Sequence, residues 1–334
     1  MDHIINDTIT AVPGLKVGQV QNTQALTGCT VIICDRGAVA GVDQRGGAPG
    51  TRETDLLRPM HLVDKVHAIA LAGGSAYGLD VASGVMRFLE ENKIGFNVGV
   101  AQVPIVPAAI LFDLAIGDPN VRPDAQMGYD ACFAANSEPV KQGNYGAGTG
   151  ATIGKIFGTS QAIKSGIGSS VIHLGGNLKV AALIAVNAFG DVIDPQSGKI
   201  IAGARTIKKG PIQFGAQDYY ADTLATMRTI AGKTILQFAS NQNTIIGVVA
   251  TNARLTKEEA NKVAQMAHNG LAKTISPAHT MFDGDTIFCL STGSKKANVN
   301  LIGAYAVETV SRAIINAIKF AEPAGGLPSA NSIH

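Results

Sequence analysis

Glycine clusters at the ends of apolar runs constrain the fold of this chain more than any other feature. The sequence holds 39 glycines among 334 residues, and apolar stretches flank each cluster. Glycine permits tight turns and lets the backbone approach neighbouring atoms closely. The pattern therefore indicates short strands that end in tight turns, and it argues against a disordered linker. The clusters are Gly46-Gly47, Gly73-Gly74, residues 143–150, residues 166–168 and Gly175-Gly176.

Composition allows a large core and excludes some classes of partner. Apolar residues make up 46% of the chain, and tryptophan is absent, so aliphatic side chains must build the core. The net charge is +2 and no basic run occurs, so we expect no nucleic-acid partner. The most apolar stretch, residues 98–114, is interrupted by Gln102, Pro104 and Pro107, so we expect no membrane span.

The beginning of the chain and its cysteines indicate a cytoplasmic protein. Residues 1–7 lack the basic and apolar regions of a signal peptide. The four cysteines form no CxxC pair, and we expect reduced, buried thiols. They are Cys29, Cys34, Cys132 and Cys289.

Periodicity predicts strands and helices in an irregular order. That order lacks the regular βαβ alternation of a doubly wound parallel sheet, and it indicates layered sheets flanked by helices. A more polar stretch, residues 206–243, is typical of a surface excursion. We expect strands at residues 30–34, 38–42, 68–71, 180–187, 245–250 and 286–290, a turn at residues 35–37, and helices near residues 79–92, 127–135, 256–271 and 299–320.

A threonine at the head of a predicted buried strand is the main candidate for chemistry. Thr244 follows Asn243 directly. Within a chain it has no obvious base, but a cut after Asn243 would give Thr244 a free α-amino group with a pKa of about 7.7–8.0. Such an amine can serve as the general base for the threonine's own hydroxyl. An ordinary turn asparagine before a β-branched strand residue is the alternative interpretation.

Polar residues at the edges of apolar elements are candidates to support this nucleophile. Asp283 and Asp285 supply two carboxylates just before a strand, Asn187 ends an apolar strand, and Lys155 follows a glycine loop. An N-terminal nucleophile needs groups of these types for its proton network and its oxyanion, and we expect Asn187 to stabilise the oxyanion. Taken singly, each also fits a structural role as a turn, a strand end or a lysine reaching solvent.

Other chemistries find weaker support in the sequence. The loop at residues 143–150 lacks the Gly-Lys-Ser/Thr of a phosphate cradle. The Gly73–Gly78 segment misses Gly-x-Ser-x-Gly because Tyr77 occupies the second glycine position, which disfavours a conventional serine hydrolase. The seven histidines show no ligand spacing, so we predict no metal.

Five stretches, in order along nearly the whole chain, carry a resemblance to a known family. Each is weakly specific alone, but together they are specific. The chain resembles the self-cleaving aminopeptidases of the DmpA type (peptidase family S58, L-aminopeptidase/D-esterase), and in its site residues it is most similar to the hydrolase of nylon (6-aminohexanoate) oligomers. The stretches are residues 42–50 (VDQRGGAPG), 71–80 (LAGGSAYGLD), 146–150 (GAGTG), 243–252 (NTIIGVVATN) and 279–286 (HTMFDGDT).

The resemblance implies a fold and a processing event. The expected fold is a four-layer αββα sandwich of α+β class, similar to the N-terminal-nucleophile hydrolases. The expected chain is one domain, residues 1–334, which cuts itself into an α fragment (1–243) and a β fragment (244–334). The family needs no cofactor and forms tetramers, so we expect a homotetramer of αβ units.

The resemblance also assigns roles to residues. Thr244 would be the nucleophile, and Lys155, Asn187, Asp283 and Asp285 align with the lysine, asparagine and aspartates of the nylon-oligomer hydrolase. That hydrolase has a tyrosine in its cleft where this chain has a phenylalanine, which removes a hydrogen-bond donor. The expected substrate-binding residues are Phe112, Tyr145, Gly146 and Gly148.

Two other functions stay open at this stage. An acyltransferase of the ornithine acetyltransferase kind shares the self-cleaving threonine, and a non-enzymatic assembly protein would keep an uncut chain. The substrate of a hydrolase also stays open among α-peptides, β-peptides, D-amino acid esters or amides, and 6-aminohexanoate oligomers.

Overall fold

A computed structural model describes residues 6–209, 212–214, 219–230, 232 and 243–333. Parts of the predicted polar excursion at residues 206–243, namely residues 210–211, 215–218, 231 and 233–242, lie outside these described residues.

The strands are β1 Lys16–Asn22, β2 Thr27–Gln44, β3 Thr51–Arg52, β4 Lys65–Ala72, β5 Phe96–Asn97, β6 Gln102–Val103, β7 Ala108–Ile110, β8 Thr152–Ile153, β9 Ile163–Lys164, β10 Ile167–Leu174, β11 Leu178–Asn187, β12 Asp191–Ile193, β13 Ile200–Ala202, β14 Ile207–Lys209, β15 Ile212–Phe214, β16 Thr244–Ala253, β17 Ile275–Ser276 and β18 Thr286–Lys295. The α-helices are α1 Val81–Glu91, α2 Ala125–Phe133, α3 Thr223–Met227, α4 Lys257–Thr274 and α5 Val299–Lys319. Short 3₁₀ helices span Ile9–Ala11, Asp55–Leu57, Ser75–Asp80, Gly146–Gly148, Thr159–Gln161, Gly175–Asn177 and Ala330–Ser332.

One large mixed sheet organises the molecule. Its strands run in the order β10-β11-β16-β18-β2-β4-β7-β3, and β1 pairs with β2 beside this path. Pairing is antiparallel except between β16 and β18 and between β4 and β7, which are parallel. The long strand β2 lies in the middle of the sheet and changes partner along its length, since it pairs with β18 through its second half and with β1 through its first half.

The two halves of the large sheet pack against each other as two layers, and three hydrophobic clusters fill the spaces between the layers. One cluster lies between α4, α5 and one face of β11, β16 and β18. Another lies between α1, α2 and one face of β2 and β4. The remaining faces of all these strands pack together in a cluster that contains Ile32, Leu71, Leu183, Val248 and Phe288. The order of layers is therefore helix, sheet, sheet, helix, and it confirms the expected αββα sandwich.

Glycine brings the helices close to the sheets, as the sequence indicated. A Cβ on Gly41 of β2 would overlap the backbone of Asn261 in α4. A Cβ on Gly168 of β10 would likewise overlap the backbone of Ala313 in α5. At Gly41 and Gly168, alanine would therefore push the helix away from the sheet.

Helix α5 is long and apolar enough to cross a membrane by length and composition alone. Its buried residues, which include Ile302, Val310 and Ile314, pack in the core cluster shared with α4 and β11. Helix α5 is therefore a core helix of the sandwich.

The prediction of a turn at residues 35–37 is wrong. Residues 35–37 do not form a turn between two strands, since β2 runs unbroken from Thr27 to Gln44. The polar Asp35-Arg36-Gly37 segment coincides instead with an irregularity in the pairing of β2 with β4 between Ile33 and Ala38. Gly37 has a φ of 69° there, which accounts for the turn-like composition.

Candidate active site

Thr244 begins β16 on the face that points between the two sheets. Alternation along β16 places Ile246 and Val248 in the cluster between the sheets, and Thr244 has the same parity. Asn187 is its partner in the antiparallel pairing with β11. Since paired residues of neighbouring strands project from the same face, Thr244 and Asn187 lie side by side at this edge of the core.

The carbonyl of Asn243 is held beside the Thr244 hydroxyl. Oγ1 of Thr244 donates a hydrogen bond to the Asn243 carbonyl oxygen. The backbone N–H of Gly284 donates to the same oxygen at 3.0 Å. The carbonyl thus has two donors, and the hydroxyl oxygen lies next to the carbon that carries it.

Gly284 needs to be glycine for this arrangement to exist. A Cβ built on Gly284 would lie 2.9 Å from Thr244 Oγ1 and 2.5 Å from the carbonyl oxygen of Ala48. Any side chain at this position would therefore displace either the threonine hydroxyl or the neighbouring backbone.

Asp285 fixes the backbone that follows Thr244. Its Oδ1 accepts a hydrogen bond from the Ile245 N–H at 2.9 Å. Its Oδ2 accepts from both the backbone N–H and Nδ1 of His279, at 3.2 and 2.8 Å. The buried carboxylate therefore joins the head of β16 to the 276–285 loop.

Asp283 is the second buried carboxylate. Its Oδ2 accepts from the N–H and the hydroxyl of Thr280 at 2.8 and 2.7 Å. Burial, followed by the negative charge of Asp285, raises the pKa of Asp283 to about 6. Asp283 thus titrates close to neutral pH, as is common for carboxylates in active sites.

Lys155 and Asn187 form a linked pair beside Thr244. Nζ of Lys155 donates to Oδ1 of Asn187 at 2.7 Å and to its carbonyl oxygen at 3.3 Å. The Asn187 amide donates in turn to the carbonyl oxygen of Phe112 at 2.9 Å. Burial lowers the pKa of Lys155 to about 7, against the opposing effect of the negative charge of Asp283. A lysine with this pKa is partly neutral at neutral pH and can accept a proton.

The backbone of the 42–50 stretch packs against the backbone of Asp283 and Asp285. The N–H of Arg45 donates to the Asp285 carbonyl oxygen at 3.0 Å, and that of Ala48 donates to the Asp283 carbonyl oxygen at 2.8 Å. A Cβ on Gly46 would overlap the backbone of Asp283. The glycines of this stretch therefore permit the close approach that holds the 279–286 stretch in place.

A small cavity adjoins Lys155. Its volume is about 10 Å³, room for roughly one water molecule. Its lining includes Phe112, Asp113, Gly150, Thr152 and Lys155. Phe112, one of the predicted substrate-binding residues, is therefore part of the lining of a water-sized cavity, and its contact with a substrate stays a prediction.

The other predicted substrate-binding residues do not line this cavity. Tyr145 lines a separate groove with Gln19 and Lys141. The N–H of Gly146 donates to the Gln21 side chain, and the carbonyl oxygen of Gly148 accepts from Lys164 at 3.4 Å. The glycine loop is thus part of the scaffold near the site.

Several participants were missed in the sequence. Asp113 is a buried carboxylate between two glycine loops; its oxygens accept from Thr27 Oγ1 and the Gly74 N–H, both at 2.7 Å. Burial raises the pKa of Asp113. A lone aspartate directly after Phe112 in an apolar run was a signal for it. The Gly284 N–H and the ring of His279 lay within a stretch that was already singled out, but backbone donors are invisible in a sequence.

Comparison with known proteins identifies the family of this chain. Residues 7–331 match the family model described as peptidase family S58. An uncharacterised aminopeptidase of Mycobacterium tuberculosis is 38% identical over 350 residues, covering 97% of this chain and 96% of that protein. A 6-aminohexanoate-oligomer endohydrolase of a Kocuria species is 32% identical over 324 residues, covering 92% of this chain and 84% of that protein.

Solved structures support the fold. The L-aminopeptidase D-Ala-esterase/amidase of Ochrobactrum anthropi, a variant of the Ntn-hydrolase fold, superposes with a TM-score of 0.70 at 19% identity, covering 97% of this chain and 88% of that chain. A β-aminopeptidase of a Burkholderia species superposes with a TM-score of 0.67 at 22% identity, covering 97% and 90%. The chain therefore belongs to peptidase family S58 and is a hydrolase that acts on amide bonds.

Proposed function

We propose that this protein is an N-terminal-threonine amidohydrolase that makes its own nucleophile by cutting the chain between Asn243 and Thr244. One observation carries the proposal. The Thr244 hydroxyl lies against the Asn243 carbonyl, and that carbonyl oxygen already accepts the Gly284 N–H at 3.0 Å. A hydroxyl, a carbonyl and an oxyanion donor are the parts that an intramolecular acyl shift requires.

Self-cleavage proceeds by an acyl shift and a hydrolysis. Oγ of Thr244 adds to the Asn243 carbonyl carbon, and the negative charge that develops on the carbonyl oxygen is stabilised by the Gly284 N–H. The C–N bond then breaks, the Thr244 nitrogen takes up a proton, and an ester joins Asn243 to Thr244 Oγ. Water hydrolyses the ester to the Asn243 carboxylate, which leaves Thr244 with a free hydroxyl and a free amine.

The buried lysine and aspartates support the proton transfers. Before the cut, Thr244 has no amine, so another base must take the hydroxyl proton. Lys155, whose pKa is about 7, and Asp283, whose pKa is about 6, both titrate near neutral pH for reasons of burial. We assign the base to neutral Lys155, and we assign Asp285 to holding the Ile245 N–H.

Asn187 takes a modified role in this proposal. The sequence assigned it to the oxyanion, but its Oδ1 accepts from Lys155, and its amide donates to Phe112. For self-cleavage we therefore assign the oxyanion to Gly284 and give Asn187 the task of holding Lys155 beside Thr244.

The mature enzyme would use the same hydroxyl on an external amide. The Thr244 amine accepts the Oγ proton, Oγ attacks the substrate carbonyl, and the amine product leaves from an acyl-enzyme. Water then releases the acid and restores Thr244. All the groups in this cycle belong to the chain, so the proposal includes no cofactor.

The proposed substrates are small amides. The names of the relatives point to N-terminal residues of short peptides and to 6-aminohexanoate oligomers. Phe112 offers an aromatic ring and no hydroxyl at the cavity beside Lys155, which favours apolar contact over hydrogen bonding there. The expected assembly is a cytoplasmic homotetramer of αβ units.

The decisive experiment compares Thr244→Ala with Thr244→Ser. The purified proteins are analysed by intact mass and N-terminal sequencing, and then assayed for amide hydrolysis. We expect fragments 1–243 and 244–334 from the wild type and from the serine variant, which keeps a hydroxyl, and an uncut, inactive alanine variant. An alanine variant that hydrolyses amides, or an active wild type that is entirely uncut, would end the proposal.

A substrate panel follows on the mature enzyme. It should contain aminoacyl anilides, β-peptides, D-amino acid amides and esters, and linear 6-aminohexanoate oligomers, each with and without an added acceptor amine. Faster acyl transfer to the amine than to water would indicate an acyltransferase instead of a hydrolase.

A further inference from the structure

His279 is a half-buried residue at the site that the proposed mechanism does not use. Its backbone N–H and its ring Nδ1 both approach Oδ2 of Asp285, at 3.2 and 2.8 Å. It holds a left-handed backbone conformation, with φ at 58°, that directs two donors of one residue to one oxygen. A non-glycine residue kept in this region is a reason to look for function.

The ring of His279 is itself held by a second histidine. The rings of His279 and His268 meet nearly edge to face, with centroids 4.9 Å apart and planes at 67°. Nε2 of the fully buried His268 lies 2.9 Å from the Asp43 carbonyl oxygen. Contacts therefore run from Asp43 in β2, through His268 of α4 and His279, to Asp285.

The neighbours of the two rings dictate their tautomers. A carboxylate and a carbonyl oxygen can only accept, so the hydrogen lies on Nδ1 of His279 and on Nε2 of His268. The opposite nitrogens, Nε2 of His279 and Nδ1 of His268, are buried and have no hydrogen-bond partner among the described residues. The two rings thus carry different tautomers.

We propose that His279 is a positioning residue for self-cleavage, which locks the Asp285 carboxylate so that it holds the Ile245 N–H and keeps Thr244 against the Asn243 carbonyl. The inference rests on the proposed function, since it assigns a role within the same reaction. Asp285 can hold Ile245 through Oδ1 only while Oδ2 is fixed, and His279 supplies both side-chain and backbone donors to Oδ2. Without the ring, the carboxylate can rotate and β16 loses its fixed start.

Two substitutions at His279 separate positioning from folding. Glycine relieves the left-handed backbone and removes the ring, whereas asparagine tolerates that backbone and places an N–H close to the position of Nδ1. The rate of self-cleavage is followed on freshly translated precursor by denaturing gel. Lys93→Gly is the matched control. Lys93 has nearly the same φ as His279, 59°, and it is an exposed residue just after α1, far from His279 in the sequence.

We expect His279→Gly to slow self-cleavage by roughly 10- to 100-fold, the usual cost of removing a group that orients a ligating or reacting side chain. His279→Asn should recover most of the rate, and Lys93→Gly should cleave like the wild type. Wild-type cleavage in His279→Gly, or an asparagine variant as slow as the glycine variant, would overturn the inference while leaving the Thr244 mechanism intact.

A spectroscopic measurement decides the matter if the variants misfold. In uncut Thr244→Ala protein labelled with ¹⁵N-histidine, NMR should report the Nδ1–H tautomer for His279 and the Nε2–H tautomer for His268. An Nε2–H tautomer at His279 would refute the contact with Asp285, whether or not the wild type cuts itself.

Discussion

The Gly284 N–H lies 3.0 Å from the carbonyl oxygen of the bond that we propose Thr244 attacks. Catalysis at this carbonyl depends on a donor that is in place before charge develops, because a preorganised donor costs no rearrangement during the reaction. Residue 284 has to be glycine, because Thr244 Oγ1 lies close to the place where a Cβ would project.

Gly284→Ala should therefore suppress self-cleavage. The added Cβ would lie 2.9 Å from Thr244 Oγ1 and 2.5 Å from the Ala48 carbonyl oxygen, so the hydroxyl or the loop must move. Loss of one oxyanion donor typically lowers a rate by about 10²- to 10³-fold, and we expect a loss of that order. The accumulation of uncut chain is measured over time on a denaturing gel.

Gly175→Ala is the control for this experiment. Among the residues that the structure describes, no heavy atom lies within 4 Å of a Cβ built on Gly175, and the Gly175 backbone does not have a positive φ. That variant should cut at the wild-type rate. A Gly284→Ala protein that also cuts normally would show that the Gly284 N–H has no part in the reaction.

The pH dependence of self-cleavage follows from two buried groups. Burial lowers the pKa of Lys155 to about 7, so the neutral base predominates only above that pH. Burial and the charge of Asp285 raise the pKa of Asp283 to about 6, so it is ionised above that pH. Lys155 is the proposed base, and Asp283 is already ionised at the pH where Lys155 loses its proton, so the rate should rise with pH through about 7 and level off above it.

The measurement is the cleavage rate of fresh precursor in buffers from about pH 5 to about pH 8.5, a range that spans both pKa values. Lys155→Met should remove the rise together with most of the rate. A wild-type rate that stays constant across this range would exclude Lys155 as the base.

At the scale of elements, strands with continuous apolar sequence were predictable. The predicted strand at residues 180–187 appears as β11, and the predicted helix near residues 256–271 appears as α4, which begins after Thr256 with both reciprocal hydrogen bonds of a capping box. The prediction of a turn at residues 35–37 was wrong because Asp, Arg and Gly are typical both of a turn and of an exposed irregularity in a long strand. Local composition cannot distinguish the two, since pairing with β4 decides the outcome.

The site was predictable where side chains carry it and unpredictable where the backbone does. Strand pairing brings Thr244 and Asn187 together, and hydrogen bonds add Lys155 and Asp285, which are remote from one another in sequence. A single sequence cannot predict that the Gly284 N–H donates to the carbonyl oxygen of Asn243, 41 positions earlier. That hydrogen bond depends on the β-bridge between Asn243 and Asp283.

At the scale of the whole molecule, the proposed cut falls in the centre of the sheet. β16 and β18 would belong to the β fragment, yet β16 lies beside β11 and β18 lies beside β2, both in the α fragment. Helices α4 and α5 of the β fragment also cover β2, β10 and β11. The two fragments therefore share one hydrophobic core and one sheet.

The cut should therefore leave the fragments associated. Separation would expose two edges of a central sheet and the apolar faces of α4 and α5, which is strongly unfavourable in water. We expect the processed protein to elute from a size-exclusion column as one species that holds both fragments in equal amounts, and to separate into two bands only after denaturation. Uncut Thr244→Ala protein should elute at the same volume and give one band. Fragments that separate on the native column would show that the strand order β11-β16-β18-β2, in which both sheet strands of the β fragment lie between strands of the α fragment, does not hold the processed molecule together.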